Sequence, residues 1–259
     1  DRADGDKPLL GGAMAHANRR FLDTAARNGL LDICDAFSFH TYAQAPQFEA
    51  IVGEYRAWLK QFGRESTPLW VTECGRPWPR GADRPDREPD TLSALDITMK
   101  AVEAKACGVA RYFAFVHPFY EENQNNFGMM GREGTPLRSM AAYAQAARRL
   151  AGIDYVGDLR LDDPAVSRAR VFAGEAAAPH WIAVIYTGKP DPDARVRFDL
   201  PVSRIEGIDG RKLEPAGDGV PVPDGLVYVW LDRAAVEPRL VRQTVAAALR
   251  HAGAAKAEH

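Results

Sequence analysis

Apolar residues in the first 150 positions alternate between short continuous runs and stripes at three- and four-residue spacing. This is the pattern of strands alternating with amphipathic helices around a parallel sheet. Four such units can be read. Pro8, Leu9 and Leu10 lead into a helical stretch from Met14 to Asn28, ended by Gly29 as a natural left-handed terminus. Residues 36–40 predict the next strand, and Phe48, Ile51, Val52, Tyr55, Leu59 and Phe62 place an apolar stripe on the helix after it. Residues 68–73 predict a third strand, followed by a loop rich in Pro and Arg from Arg76 to Pro89, long enough to suggest a function. Leu92, Leu95, Met99, Val102 and Ala106 mark a third helix closed by Gly108, and residues 111–116 the fourth strand. Thr135-Pro136 opens the last helix with Pro at its first position and Leu137, Met140, Tyr143, Ala144 and Ala147 on its buried face.

Beyond Gly152 the period drops to two. Residues 181–186, 196–200 and 226–230 predict short antiparallel strands, and Asp209-Gly210 a type I′ hairpin turn. Trp181 and Trp230 read as core residues of those strands. Residues 234–259 are Ala-rich and basic, with Leu240, Val241, Val245 and Leu249 at helical spacing, which predicts a docked helix or a flexible tail. The expected organisation is an α/β region over 1–152, an antiparallel β-domain over 153–233 and a tail over 234–259.

Composition narrows the function classes. The 259 residues are 46% hydrophobic and 26% charged, in the range of ordinary globular chains, so disorder is not the default. Thirty-three basic residues nearly balance 35 acidic ones, which points away from a nucleic-acid groove or an anionic membrane surface as partner and suits a neutral substrate. Cys34, Cys74 and Cys107 have neither disulfide-framework nor zinc-site spacing and read as small buried hydrophobes. No apolar run is long enough for a membrane span, and the polar opening DRADGDK is unlike an export leader. Localisation stays open.

In parallel barrels the reacting groups sit where strands end, because the loops after the strands build the site. The second strand ends in His40-Thr41-Tyr42, the third in Glu73-Cys74-Gly75 and the fourth in His117-Pro118-Phe119-Tyr120. The run PLWVTECGRPW, preceded by FSFHTY and followed by YFAFVHPFYEENQNNFG and GTPLRSMAAYAQAARRLAG, resembles the barrel glycoside hydrolases that carry one catalytic Glu after strand four and another after strand seven. The resemblance covers about residues 8–152. It implies that the chain holds the C-terminal half of a TIM barrel, strands five to eight, followed by a small antiparallel β-sandwich domain.

On that resemblance Glu73 matches the nucleophile of a retaining enzyme, Tyr42 the phenol that hydrogen-bonds it, and His40 a residue lining the sugar subsite nearest the cleavage point. A retaining mechanism also needs a second carboxyl about 5 Å away. The family supplies it from an Asn-Glu pair after strand four, which the resemblance places before Asp1. The missing N-terminal half of the barrel would then be a partner in catalysis, and the 259 residues alone would be inactive. Glu121 and Glu122 follow strand eight and read as solvated loop carboxylates. His117 stands where the family often has Trp.

Trp78, Phe119 and Tyr120 could stack on a pyranose face or simply pack the rim, and Arg76, Asn125 and Asn126 could bind sugar hydroxyls or serve turns. No cofactor is called for. Two other readings stay open: a metal-dependent barrel enzyme with His40, Glu73 and His117 on one divalent ion, and a non-catalytic sugar-binding or interaction module.

Overall fold

The computed structural model describes residues 7–174, 180–215, 217 and 219–242. Its first half contains β1 (Leu10–Met14), α1 (Arg19–Arg27), α2 (Leu30–Ile33), β2 (Ala36–Thr41), α3 (Phe48–Gln61), β3 (Leu69–Cys74), β4 (Trp78–Pro79), α4 (Arg87–Ala106), β5 (Arg111–Tyr112), β6 (Glu121–Glu122), β7 (Asn125–Asn126) and α5 (Arg138–Leu150). Strands β1, β2, β3 and β5 form one open, all-parallel sheet in that order. Strands β4, β7 and β6 form a small antiparallel sheet in the loops beyond its C-terminal ends.

The second half adds β8 (Asp154–Leu159), β9 (Arg168–Ala173), β10 (His180–Tyr186), β11 (Arg195–Arg197), β12 (Val202–Gly207), β13 (Lys212–Leu213), β14 (Gly219–Pro221), β15 (Leu226–Asp232), α6 (Arg233–Val236) and β16 (Leu240–Arg242). Seven of these strands build one sheet in the order β13-β12-β15-β10-β9-β8-β16. Helices α4 and α5 cover one face through Leu95, Met99, Ala142, Phe172, Val184 and Tyr228. The opposite face packs on the β11–β14 ribbon through Val196 and Val220, so the second layer expected of a sandwich is a ribbon here.

Strand alternation explains the first core. Phe37 and Phe39 of β2 and Leu69 and Val71 of β3 point to one face, where they meet α3. The Phe39 ring stacks 4.4 Å from Tyr55 and Phe37 lies 4.8 Å from Trp58, with all four rings buried. Helix α4 is the common wall between this core and the β-sheet, and most of its residues are buried. A helix buried nearly all round has only a weak amphipathic stripe, so sequence periodicity reports it incompletely.

Its buried charges are paired. Arg170 of β9 is fully buried, and its guanidinium lies 2.5 Å from Glu103 of α4, 3.0 Å from Asp158 of β8 and 3.1 Å from Glu49 of α3. Tyr186 adds a hydrogen bond to Glu103. Arg149 of α5 grips Glu206 of β12 with two bonds of 2.8 and 2.7 Å, and Gln145 adds a third of 2.6 Å.

Several boundaries differ from expectation. The first helix begins at Arg19, because Asn18 caps it by accepting from Phe21 N–H at 3.2 Å and β1 runs on to Met14. Helix α4 starts at Arg87, so Pro89 falls in its first turn, where a missing N–H costs nothing. The fourth strand has ladder pairing only at Arg111–Tyr112, although Phe113 and Phe115 N–H still donate to Val71 and Cys74 carbonyls of β3. The Phe115–Val116 peptide is cis.

Pro136 lies outside α5 in a bridge with Met130, and the helix begins two residues later, with the Asp90 carboxylate accepting from Arg138 N–H at 3.1 Å. The buried face of α5 is Ser139, Ala142, Gln145, Ala146 and Leu150, whereas Ala144 and Ala147 are exposed, because the helix is rotated to reach Glu206 as well as α4. At Asp209-Gly210 only Gly210 takes positive φ, 86°, so the β12–β13 turn is not type I′. Residues 234–242, read as the start of a helical tail, instead form most of α6, a 3₁₀ turn and β16, which pairs antiparallel with β8. Val245 and Leu249 lie outside the described residues.

Cys74 and Cys107 are buried and burial pushes both thiols up to about 12, while Cys34 is half-buried. Trp181 is buried in the core, and Trp230 is partly buried with Arg149 and Arg204 guanidiniums 5.1 and 4.9 Å from its ring. No helix among the described residues is long and apolar enough to cross a membrane.

Arg170→Met removes the cation while leaving Glu103 and Asp158 buried, a change that costs about 3–5 kcal/mol. Urea unfolding should show the midpoint falling accordingly. Arg239→Ala, which breaks an exposed pair with Asp199, should leave it in place.

Candidate active site

The site lies at the C-terminal ends of β2 and β3. Regular pairing would put Glu73 on the same side as Leu69 and Val71, into the helix layer. It does not, because the register slips: Phe39 pairs with Val71, but His40 pairs with Glu73, leaving Thr72 as an extra residue on β3. A bulge of this kind re-aims the side chains after it. Glu73 is thereby level with His40, on the face opposite the aromatic core.

Tyr42 donates its phenol to Glu73 Oε1 at 2.6 Å. His40 Nδ1 lies 3.3 Å from Glu73 Oε2, and the two side chains are 26% and 27% exposed. Both carboxylate oxygens thus have neighbours, while the group stays open to solvent. Burial, the hydrogen bond to Glu73 and that residue's charge together hold the Tyr42 phenol well above its usual range, so it is a donor at all physiological pH.

Tyr42 is itself held by aromatic packing. Phe127 lies edge-on at 5.3 Å, Phe115 is 5.7 Å from Phe127, and Tyr120 is 5.5 Å from Phe115. Of these, the sequence singled out Tyr120, which is 40% exposed. Phe115 and Phe127 were missed, and their clustering in the aromatic run from Tyr112 to Phe127 was the available signal.

The remaining sequence candidates fall elsewhere. Trp78 is buried, donates its indole N–H to the Gly128 carbonyl at 3.2 Å and packs 6.0 Å from Phe119, so it braces the loop sheet and offers no stacking face. Phe119 lies under the Arg132 guanidinium at 4.4 Å. Asn126 is also fully buried, its side-chain oxygen accepting from Gly128 N–H at 2.8 Å, so it shapes the turn and cannot meet a sugar from there. Asn125 is exposed and pairs with Pro79 and Glu122.

Arg76 is exposed, and its carbonyl accepts from Ser93 at 3.0 Å. It lines a cavity of about 190 Å³ between α4 and the β-sheet, behind the site. Glu121 accepts from Gly81 N–H at 2.9 Å and has Arg80 and Arg132 each at 3.6 Å, a structural role. Glu122 is exposed. His117 is exposed too, and among the described residues no three His, Cys, Asp or Glu side chains are grouped to hold a metal ion, so His40, Glu73 and His117 do not form a ligand set.

No family model and no curated protein matches this chain. Solved structures do. A family 39 glycoside hydrolase from Bacteroides cellulosilyticus WH2 superposes with a TM-score of 0.64 at 15% identity, over 88% of this chain and 51% of that one. A glucosidase from Croceicoccus marinus gives 0.56 at 15% identity over 90% and 61%, and a GH39 β-xylosidase from Caulobacter crescentus 0.52 at 18% over 88% and 58%. The chain therefore has a mixed α/β fold resembling glycoside hydrolase barrels, spans between half and about three-fifths of those chains, and leaves its parallel sheet unclosed.

Glu73→Gln removes both the charge and the anionic acceptor that oppose Tyr42 ionisation, so the phenol should titrate at lower pH in the variant. The check is a 19F NMR titration of fluorotyrosine-labelled protein, with the Tyr42 signal assigned through Tyr42→Phe. An unchanged midpoint would mean that the phenol does not answer to Glu73 in solution.

Proposed function

We propose that this chain is part of a retaining O-glycoside hydrolase acting on an oligo- or polysaccharide, with Glu73 as its nucleophile. The observation that carries the reading is the solvent-open carboxylate at two parallel strand ends, with the Tyr42 phenol 2.6 Å from one oxygen and His40 3.3 Å from the other. The glycoside hydrolase neighbours support it at the level of fold. In this reading residues 1–152 are strands five to eight of a barrel and residues 153–233 an appended β-domain.

A Glu73 oxygen attacks the anomeric carbon as the bond to the leaving oxygen breaks, and that oxygen takes a proton from a second carboxyl. The same carboxylate then deprotonates water, which attacks the anomeric carbon and frees Glu73. Tyr42 aims the carboxylate, His40 lines the adjoining subsite, and Tyr120 with Phe127 offers an aromatic surface beside Tyr42. The second carboxyl comes from a segment outside these 259 residues, and these residues alone do not complete the cycle.

Fluorosugar inactivators of several configurations, incubated with this chain and with a protein extended upstream by a half barrel, should trap a glycosyl ester on Glu73 in the extended protein alone, as read by peptide mass spectrometry. Exhaustive chelation should not alter the labelling. Absence of any adduct from a folded extended protein would sink the reading, and labelling lost on chelation and restored only by a divalent ion would favour a metal enzyme.

A further inference from the structure

Behind the Tyr42–Glu73 pair, α4 turns a polar stripe toward both loops that carry it. Ser93, Asp96 and Lys100 fall on one side of the helix, three and four residues apart. Lys100 is 1% exposed; its ammonium lies 2.5 Å from Asp96 Oδ2 and donates to the Gly75 carbonyl at 2.9 Å, two residues beyond Glu73. Asp96 Oδ1 accepts from Ala45 N–H at 3.4 Å, three residues beyond Tyr42. Ser93 Oγ donates to the Arg76 carbonyl at 3.0 Å.

Gly75 is the point where these supports meet the site. A Cβ placed there would come 2.7 Å from the Phe115 carbonyl and 3.9 Å from the Tyr42 ring, so its backbone is the surface against which the phenol lies. A buried ammonium is costly unless its donors are satisfied, and here one partner is the carboxylate that holds the other loop. The loop after β2 and the loop after β3 have no ladder between them past Thr41 and Cys74. The Asp96–Lys100 ion pair is a link that spans them through the helix.

From this geometry we infer that Asp96 and Lys100 are positioning residues that set the Tyr42–Glu73 separation by tying the Ala45 and Gly75 backbones to one helix. The inference rests on the proposed role of Glu73 only for its catalytic meaning. The geometric part stands alone.

The test uses the fluorotyrosine-labelled chain carrying Asp96→Asn together with Lys100→Met, a pair that removes both partners' charges together, with Lys100→Arg as a second variant. In the double variant the Tyr42 resonance should move and its ionisation midpoint should fall toward that of an unpaired phenol, while the Tyr186 resonance stays in place. Lys100→Arg, which keeps the charge on a longer stem, should give a smaller shift of the same sign. A Tyr42 signal unmoved in the folded double variant overturns the inference. If that variant does not fold, an unmoved signal in Lys100→Arg overturns it equally.

In the extended protein the same substitutions should slow fluorosugar labelling of Glu73 at least tenfold without loss of the fold. Labelling at the parental rate overturns the catalytic meaning. A moved Tyr42 signal with no adduct in the unsubstituted extended protein would retain the positioning role and remove the glycosidase reading instead.

Discussion

The burial of Asp96, Lys100 and Glu103 on one helix governs much of this structure. Asp96, Lys100 and Glu103 of α4 are each under a tenth exposed, on a helix walled in by the parallel sheet, by α5 and by the seven-stranded sheet. Ionised groups remain in such a place only with partners of opposite charge and satisfied hydrogen bonds. Those partners arrive from four other segments: the Ala45 and Gly75 backbones, Arg170 of β9 and Tyr186 of β10. The requirement to neutralise one helix face therefore determines where the β-sheet docks and where two site loops stop.

The same requirement explains why the chain's two halves form one body. Arg170 is pinned by carboxylates from α3, α4 and β8, so β9 cannot withdraw from the α/β region without leaving those charges exposed to an apolar gap. Glu206 repeats the arrangement at the other end, between α5 and β12. Apolar contact supplies most of the buried area, but it is tolerant of small slides, whereas a guanidinium shared by three carboxylates is directional.

What the sequence revealed follows from this division. Strand β3 and helices α1 and α3 were legible because each buries mainly one face, so periodicity reports their orientation, and β2, buried at nearly every position, showed as a short apolar run; His40, Tyr42 and Glu73 were singled out because they lie at or just past the ends of those two strands. Helix α4 was placed by its apolar positions but its start and its charged stripe were not, since a helix buried on several sides lacks one clear moment. For Trp78 and Asn126 the sequence left a sugar contact and a packing or turn role both open for a related reason: the three-stranded loop sheet that buries them is made of two-residue strands, too short to leave a period. The bulge at Thr72, which turns Glu73 to the open face, leaves no sequence signal by itself, because it is a property of pairing between strands.

The open edges of the parallel sheet bear on what a chain like this can do alone. Leu9, Leu10, Phe21 and Ile33 are all more than a third exposed along the β1 side, the edge strand of that sheet among the described residues. Yet none of the contacts that fix Glu73 crosses that edge. The Tyr42 phenol, His40, the Gly75 support and the Phe115–Phe127 packing all come from residues on the β2–β5 side. One carboxylate can thus be aimed and held on an open sheet, because aiming depends on nearest neighbours.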